Sequence, residues 1–227
     1  MEEFIKNIFT SLGSDVCGIA GIERFETAPK GFHPTDLYSK CKSVIVFGIT
    51  LPKGLWEVEP QLMYEHFNTI SCSMVDHIAL TASNRIEKEF KCTCVPIPCD
   101  TPYNSWDEES MTGHGLLSMK HTAVAAGIGT LGKNTLLLNE VYGNRLTVGA
   151  VLTDIELKSD PYAKSICIEA CTLCLDICAV DAINQDKVEQ KKCRMNSYGK
   201  TKKGFETVDC NKCRTVCPVG KGLKRTV

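Results

Sequence analysis

Between Pro60 and Phe90 the apolar residues Met63, Phe67, Ile70, Met74, Ile78, Ala82, Ile86 and Phe90 return every three or four positions. That period predicts one long amphipathic helix with those side chains on its buried face. The pattern changes in "SVIVFGITL", residues 43 to 51, where an unbroken β-branched run stops at Pro52 and Gly54. Such a run reads as a strand buried on both faces, and "RLTVGAVLTD", residues 145 to 154, reads the same way. "CTCVPIPCDTPYNSW" carries three prolines, which exclude a regular helix and leave a short strand followed by an irregular loop. "LLSMKHTAVAA" has helix formers without β-branched enrichment, and Gly127 after it fits a helix C-cap.

Composition narrows the class. A chain of 227 residues with 43% hydrophobic content can bury a substantial core. A net charge of -1 gives no global positive field for nucleic acid or an anionic membrane. The start, "MEEFIKNIFTSLGSDVCG", is amphipathic and acidic, without the basic segment and apolar core of a signal peptide, and no apolar run approaches the ~18 residues of a membrane span. A soluble cytoplasmic protein is expected.

Eight of the fourteen cysteines fall between residues 167 and 217. Clustered cysteines in a reducing compartment bind metal or do redox chemistry more often than they form disulfides. "CIEACTLCLDIC" supplies Cys167, Cys171, Cys174 and Cys178; Cys193 and "CNKCRTVCPVG" supply Cys193, Cys210, Cys213 and Cys217. In two-cluster ferredoxins the cysteine after C-x2-C-x3 crosses to the other cluster and is often followed by proline, as Cys217 is by Pro218. The spacing assigns Cys167, Cys171, Cys174 and Cys217 to one [4Fe-4S] cluster, and Cys178, Cys193, Cys210 and Cys213 to a second. One or two zinc sites are the alternative, since C-x2-C pairs serve zinc as well. The opening C-x3-C and Ala179 in place of proline depart from the usual loop.

Residues 127 to 133, "GIGTLGK", match both the G-x-G-x-x-G dinucleotide fingerprint and a P-loop lacking its final hydroxyl residue. Neither reading finds its context. The segment before the loop is helical, only "NTLLLNE" remains for a helix after it, and Asn134 cannot supply the magnesium-binding hydroxyl.

"MKHTAVAAGIGTLGKNTLLLNEVYGNRLTVGAVLTD", followed by the cysteine module, resembles the epoxyqueuosine reductase family, relatives of the corrinoid reductive dehalogenases. The resemblance implies an α+β chain: a nitroreductase-like α/β cobalamin-type domain over residues 1–157, then a bacterial ferredoxin-like two-[4Fe-4S] module over 158–227. It further implies that Gly127, Gly129 and Gly132 allow close approach of cobalamin, with Lys133 and Asn134 meeting its amides or phosphate. FMN is the less favoured cofactor, because nitroreductase-like folds commonly hold flavin. The family's catalytic Asp has no counterpart in "MTGHGLLSMKH", so His114 takes the proton-donor role, with Tyr103, Asp100 and Glu108 in reserve. The family's helical-repeat tail is missing, and no basic residues interleave with aromatics, which makes tRNA a doubtful substrate and favours a small molecule. Lys191, Lys192, Lys200, Lys202 and Lys203 offer a docking patch for a low-potential donor such as ferredoxin or flavodoxin. Cys17, Cys41, Cys72, Cys92, Cys94 and Cys99 are expected to be core residues, and His66 and His77 edge residues of the long helix.

Overall fold

The computed structural model describes residues 1–58, 62–184 and 187–223. The expected helix start at Pro60 lies outside them. The chain opens with α1 (Glu2–Ser11), β1 (Val16–Gly21), a short α2 (Pro34–Leu37) and β2 (Ser43–Thr50). The long α3 (Leu62–Phe90) leads to β3 (Cys94–Ile97) and to a hairpin of β4 (Ser105–Asp107) and β5 (Thr112–His114). Next come α4 (Met119–Ala125), a second hairpin of β6 (Thr130–Leu131) and β7 (Leu137–Leu138), and β8 (Leu146–Thr153).

The central sheet has the order β1-β2-β8-β3, with every neighbour antiparallel. Both faces are covered, which is why β2 and β8 read as unbroken apolar runs although the sheet is antiparallel. Ile19, Ile45, Phe47, Ile49 and Val151 pack with Ile5 and Phe9 of α1 and with Val75, Ile78, Ala82 and Ile86 of α3. Ala20, Val44, Val46, Ala150 and Leu152 face the other way, against Ala123, Ala126, Ile128 and Leu137. Burying side chains of this size contributes roughly 1.5–3 kcal/mol each. β3 tolerates Pro96 because it is an edge strand with one side free of ladder bonds.

The long helix departs from expectation in its first half. Tyr64, Ser71 and Val75 are buried there, while Met63, Phe67, Ile70 and Met74 are 47%, 46%, 37% and 51% exposed. The apolar spacing is correct as a helix signal, but Tyr64, Ser71 and Val75 take the covered side and the repeating large apolar residues point outward.

After β8 the chain runs along β1 before leaving it. The N–H of Asp160 donates to Ile19 O and the Ile19 N–H to Asp160 Oδ2, each at 2.9 Å, and Lys6 Nζ lies 2.6 Å from Asp160 Oδ1. The boundary expected at 157 therefore precedes residues that complete the outer edge of the sheet. The cysteine-bearing segment is built of short elements: α5 (Leu173–Asp176), β9 (Ile183–Asn184), β10 (Lys187–Val188), α6 (Gln190–Ser197), β11 (Tyr198–Lys200), β12 (Glu206–Val208) and α7 (Lys212–Thr215). Its end returns to the first part of the chain, where the Asn144 N–H donates to Gly220 O and the Leu223 N–H to Glu140 O. Among the described residues no helix is long and apolar enough to cross a membrane.

Candidate functional site

The glycine loop begins where α4 ends. The Gly127 N–H donates to Val124 O and the Ile128 N–H to Ala123 O, a Schellman pair that requires the left-handed φ of +73° at Gly127. The loop then enters the β6–β7 hairpin, so "NTLLLNE" is a turn leading into a short strand where a short helix was the only room left for a nucleotide fold. Protein atoms use the space that the glycines leave open. A Cβ at Gly127 would meet Pro161 O, one at Gly129 Leu138 O, and one at Gly132 the Asn134 and Leu138 side chains. Lys133 and Asn134, expected to meet a ligand, are bonded to the cysteine segment. Lys133 Nζ donates to Glu169 O and, at 2.9 Å, to Cys171 O; Asn134 Nδ2 donates to Cys213 O at 2.9 Å. Asn134 is buried and its Oδ1 accepts the Leu136 N–H, so both ends of its amide are used.

Under this loop Cys167, Cys171, Cys174 and Cys217 line one cavity with Gly132, Lys133, Asn134 and Pro218. The cavity is narrow, about 20 Å³. Burial, with the thiols of Cys167, Cys217 and Cys171 beside it, pushes the Cys174 thiol up, and burial with Cys167 and Cys171 does the same to Cys217. The other four cysteines form a second neighbourhood. Burial, then Cys193, Cys210 and Cys178, push the Cys213 thiol up to about 11 against the opposing charge of Arg214. Among the described residues no group of three or more His, Cys, Asp or Glu side chains is gathered closely enough to hold a metal ion. Crowded thiols that resist ionisation alone become good ligands when iron supplies the positive charge.

The loop after β3 forms the third part. Tyr103 and Trp106 stack with ring centroids 5.7 Å apart, and the Arg194 guanidinium lies 5.0 Å from the Trp106 ring and 5.9 Å from that of Tyr103. Gln190 pairs with the backbone of Gly113, its Oε1 accepting the N–H at 3.1 Å and its Nε2 donating to the carbonyl at 3.3 Å. His114, next in sequence, is exposed, with Nδ1 3.3 Å from Ser105 Oγ and its ring 5.8 Å from Phe32. Gln190 and Arg194 flank Cys193 on α6, so the hairpin carrying His114 is anchored to a helix that also presents a cysteine.

Two further residues lie near that cysteine. Burial pushes the Lys120 ammonium down, with Arg214 adding to the effect and Cys193 opposing it. Burial pushes the Tyr198 phenol up, with Arg194 opposing and Tyr103, Asp100 and Cys193 adding to it. Both side chains are exposed to solvent. His121, beside Lys120, is pushed down by burial and by that ammonium, and its Nδ1 lies 2.7 Å from Ser118 Oγ.

Asp100 and Glu108 are exposed. His66 is exposed on α3, and His77 lines a groove beside that helix. Cys72 pairs thiol to thiol with Cys99, which their sequence separation concealed. Lys192 and Lys200 are in surface ion pairs with Glu189 and Glu206. Asn139 and Asn144 were also missed. Asn139 Nδ2 donates to Ile128 O and its Oδ1 accepts two N–H groups of the following turn, while Asn144 Nδ2 donates to Arg214 O. Their signal, asparagines around Gly143, reads only as a turn.

No family model matches the chain. It is 30% identical over 207 residues to the epoxyqueuosine reductase of Bacillus anthracis, covering 86% of this chain and 52% of that protein. The chain thus spans about half the length of the curated relative it matches over most of its own. It superposes with a TM-score of 0.70 and 17% identity on an epoxyqueuosine reductase solved with an epoxyqueuosine-modified tRNA stem loop, over 99% of this chain and 66% of that one. On a reductive dehalogenase whose structure concerns B12-dependent dehalogenation, the TM-score is 0.72 with 17% identity, over 99% of this chain and 32% of that one. In sequence the chain is a relative of the epoxyqueuosine reductases, and it shares their mixed α/β fold with the B12-dependent reductive dehalogenases.

Proposed function

We propose that the chain is an iron–sulfur oxidoreductase in which two [4Fe-4S] clusters pass electrons to a corrinoid for reduction of a substrate. The observation that carries this reading is the meeting of Cys217 with Cys167, Cys171 and Cys174 around one cavity, because crossing of the last cysteine is the mark of a two-cluster module. One cluster sits on those four residues and the other on Cys178, Cys193, Cys210 and Cys213, and Lys133 and Asn134 fix the loops that present them. The close approach permitted by Gly127, Gly129 and Gly132 serves the packing of this segment, so the corrinoid belongs on the surface that carries Lys120 and Tyr198 near Cys193. A bound corrinoid supplies a cobalt centre that collects single electrons and reacts as a strong nucleophile or radical partner. His114 delivers the proton, held beside α6 by Gln190 and Arg194. A small acidic electron donor meets Lys202 and Lys203, on the turn between β11 and β12.

Anaerobic reconstitution tests the reading. Wild-type protein takes up about eight irons, and Cys217→Ser loses about half of them. Cobalamin added to the holoprotein binds saturably with a shift of its visible bands to base-off coordination. Retention of all iron by Cys217→Ser refutes the ligand assignment. Absence of corrinoid binding, with a yellow chromophore left after iron removal, returns the site to flavin.

A second reading concerns the substrate. The relative solved with a tRNA stem loop, together with the gathering of Trp106, Tyr103 and Arg194 near Lys191, favours tRNA over a small molecule. Here aromatic and basic side chains do come together, from segments far apart in sequence. Salt-dependent binding of a tRNA stem loop, weakened by Arg194→Gln, supports it. Equal affinity for unrelated single-stranded RNA returns the small molecule.

A further inference from the structure

The large side chains that α3 turns away from the sheet have an order of their own. Met63, Phe67, Ile70 and Met74 are spaced by four, three and four residues, the interval that keeps side chains on one seam when two helices pack together. From His66 to Met74 the sequence "HFNTISCSM" contains no Asp, Glu, Lys or Arg, although much of it faces outward. Beside the seam lies a groove of about 320 Å³ lined by Leu12, Ile70, Met74, His77 and Ile78, with Thr69 and Ser73 at its rim.

The seam is also nearly symmetric about its middle. An antiparallel copy placed with Ile70 against Ile70 sets Met63 level with His77 and Phe67 level with Ser73, one residue from Met74, so the Phe67 ring comes beside the Met74 sulfur. No Asp, Glu, Lys or Arg of the seam meets a like charge in this register. The exposed fractions of the four apolar residues amount to roughly 400 Å² per chain, so a pair with its polar rim removes on the order of 1,000 Å² from water. That lies at the lower limit for a specific interface.

We propose that the outward seam of α3 is a two-fold homodimer interface, in which the Met63–Phe67–Ile70–Met74 stripe packs antiparallel on the same stripe of a second copy.

Sedimentation velocity on the anaerobically reconstituted full chain, across a concentration series spanning about 1 to 200 µM, reads it directly. The expected result is a species of 25.0 kDa giving way to one of twice that mass as concentration rises. Met74→Glu and Phe67→Glu, at exposed positions, should each raise the dissociation constant about tenfold or more with unchanged helical circular dichroism. Met195→Glu, at a methionine 69% exposed on α6, should leave it unchanged. A monomer throughout the series overturns the proposal. So does a dimer that both seam variants leave intact, since its interface then lies elsewhere.

Discussion

Single residues in the first part of the chain share the resistance to ionisation of the crowded cysteines, without a set of neighbouring thiols to act as joint ligands. Burial pushes Cys41 up from an ordinary 9.0 to about 11, and burial with Cys92 and Glu87 nearby pushes Cys94 up to about 12. The folded chain therefore holds protons that the unfolded chain releases. Their contribution to stability is complete below pH 9 and is lost as the pH rises toward 11 and 12. Native protein at pH 8 should leave both residues unlabelled by iodoacetamide, while denatured protein reacts at each; peptide mapping decides, and rapid native labelling of either contradicts the assignment. The same scale shows what sequence could convey. Cysteine spacing grouped the eight ligand candidates because ligand geometry is a local constraint. The expected roles of Lys133 and Asn134 differ from their contacts because their partners, Glu169, Cys171 and Cys213, lie 36 to 79 residues away.

At the scale of elements, strands 43 to 51 and 145 to 154 were legible because burial on both faces removes any alternation that could confuse them. The long helix was legible by period and misread by face. Period 3.6 says that large side chains share a side, and only the sheet beneath decides which side is covered. The β4–β5 hairpin could not be foreseen in its place, because its anchors belong to α6. The structure makes that anchorage testable. Arg194→Met with Gln190→Ala removes the guanidinium over Trp106 and both bonds to Gly113, at a cost of about 1–3 kcal/mol to hairpin docking. In a Trp56→Phe background Trp106 is the remaining tryptophan, so its emission should move to the red and its acrylamide quenching should increase while iron content stays constant. An unchanged spectrum means the hairpin is held by other contacts.

For the whole molecule, charge divides as the contacts do not. Residues 158–227 hold fourteen Lys and Arg against eight Asp and Glu, whereas the chain as a whole is at -1. A cube bound by four thiolates is anionic, so an excess of cations around the ligands favours its reduced, more negative state. Yet the segment is not an independent body. Asp160 is bonded to Ile19 at one end, Gly220 and Leu223 are bonded to Asn144 and Glu140 at the other, and Lys133 and Asn134 grip it between them. Peptide continuity near residue 165 thus adds little to what already joins the halves. Two polypeptides divided there and expressed together should find each other, copurify and bind iron as the intact chain does.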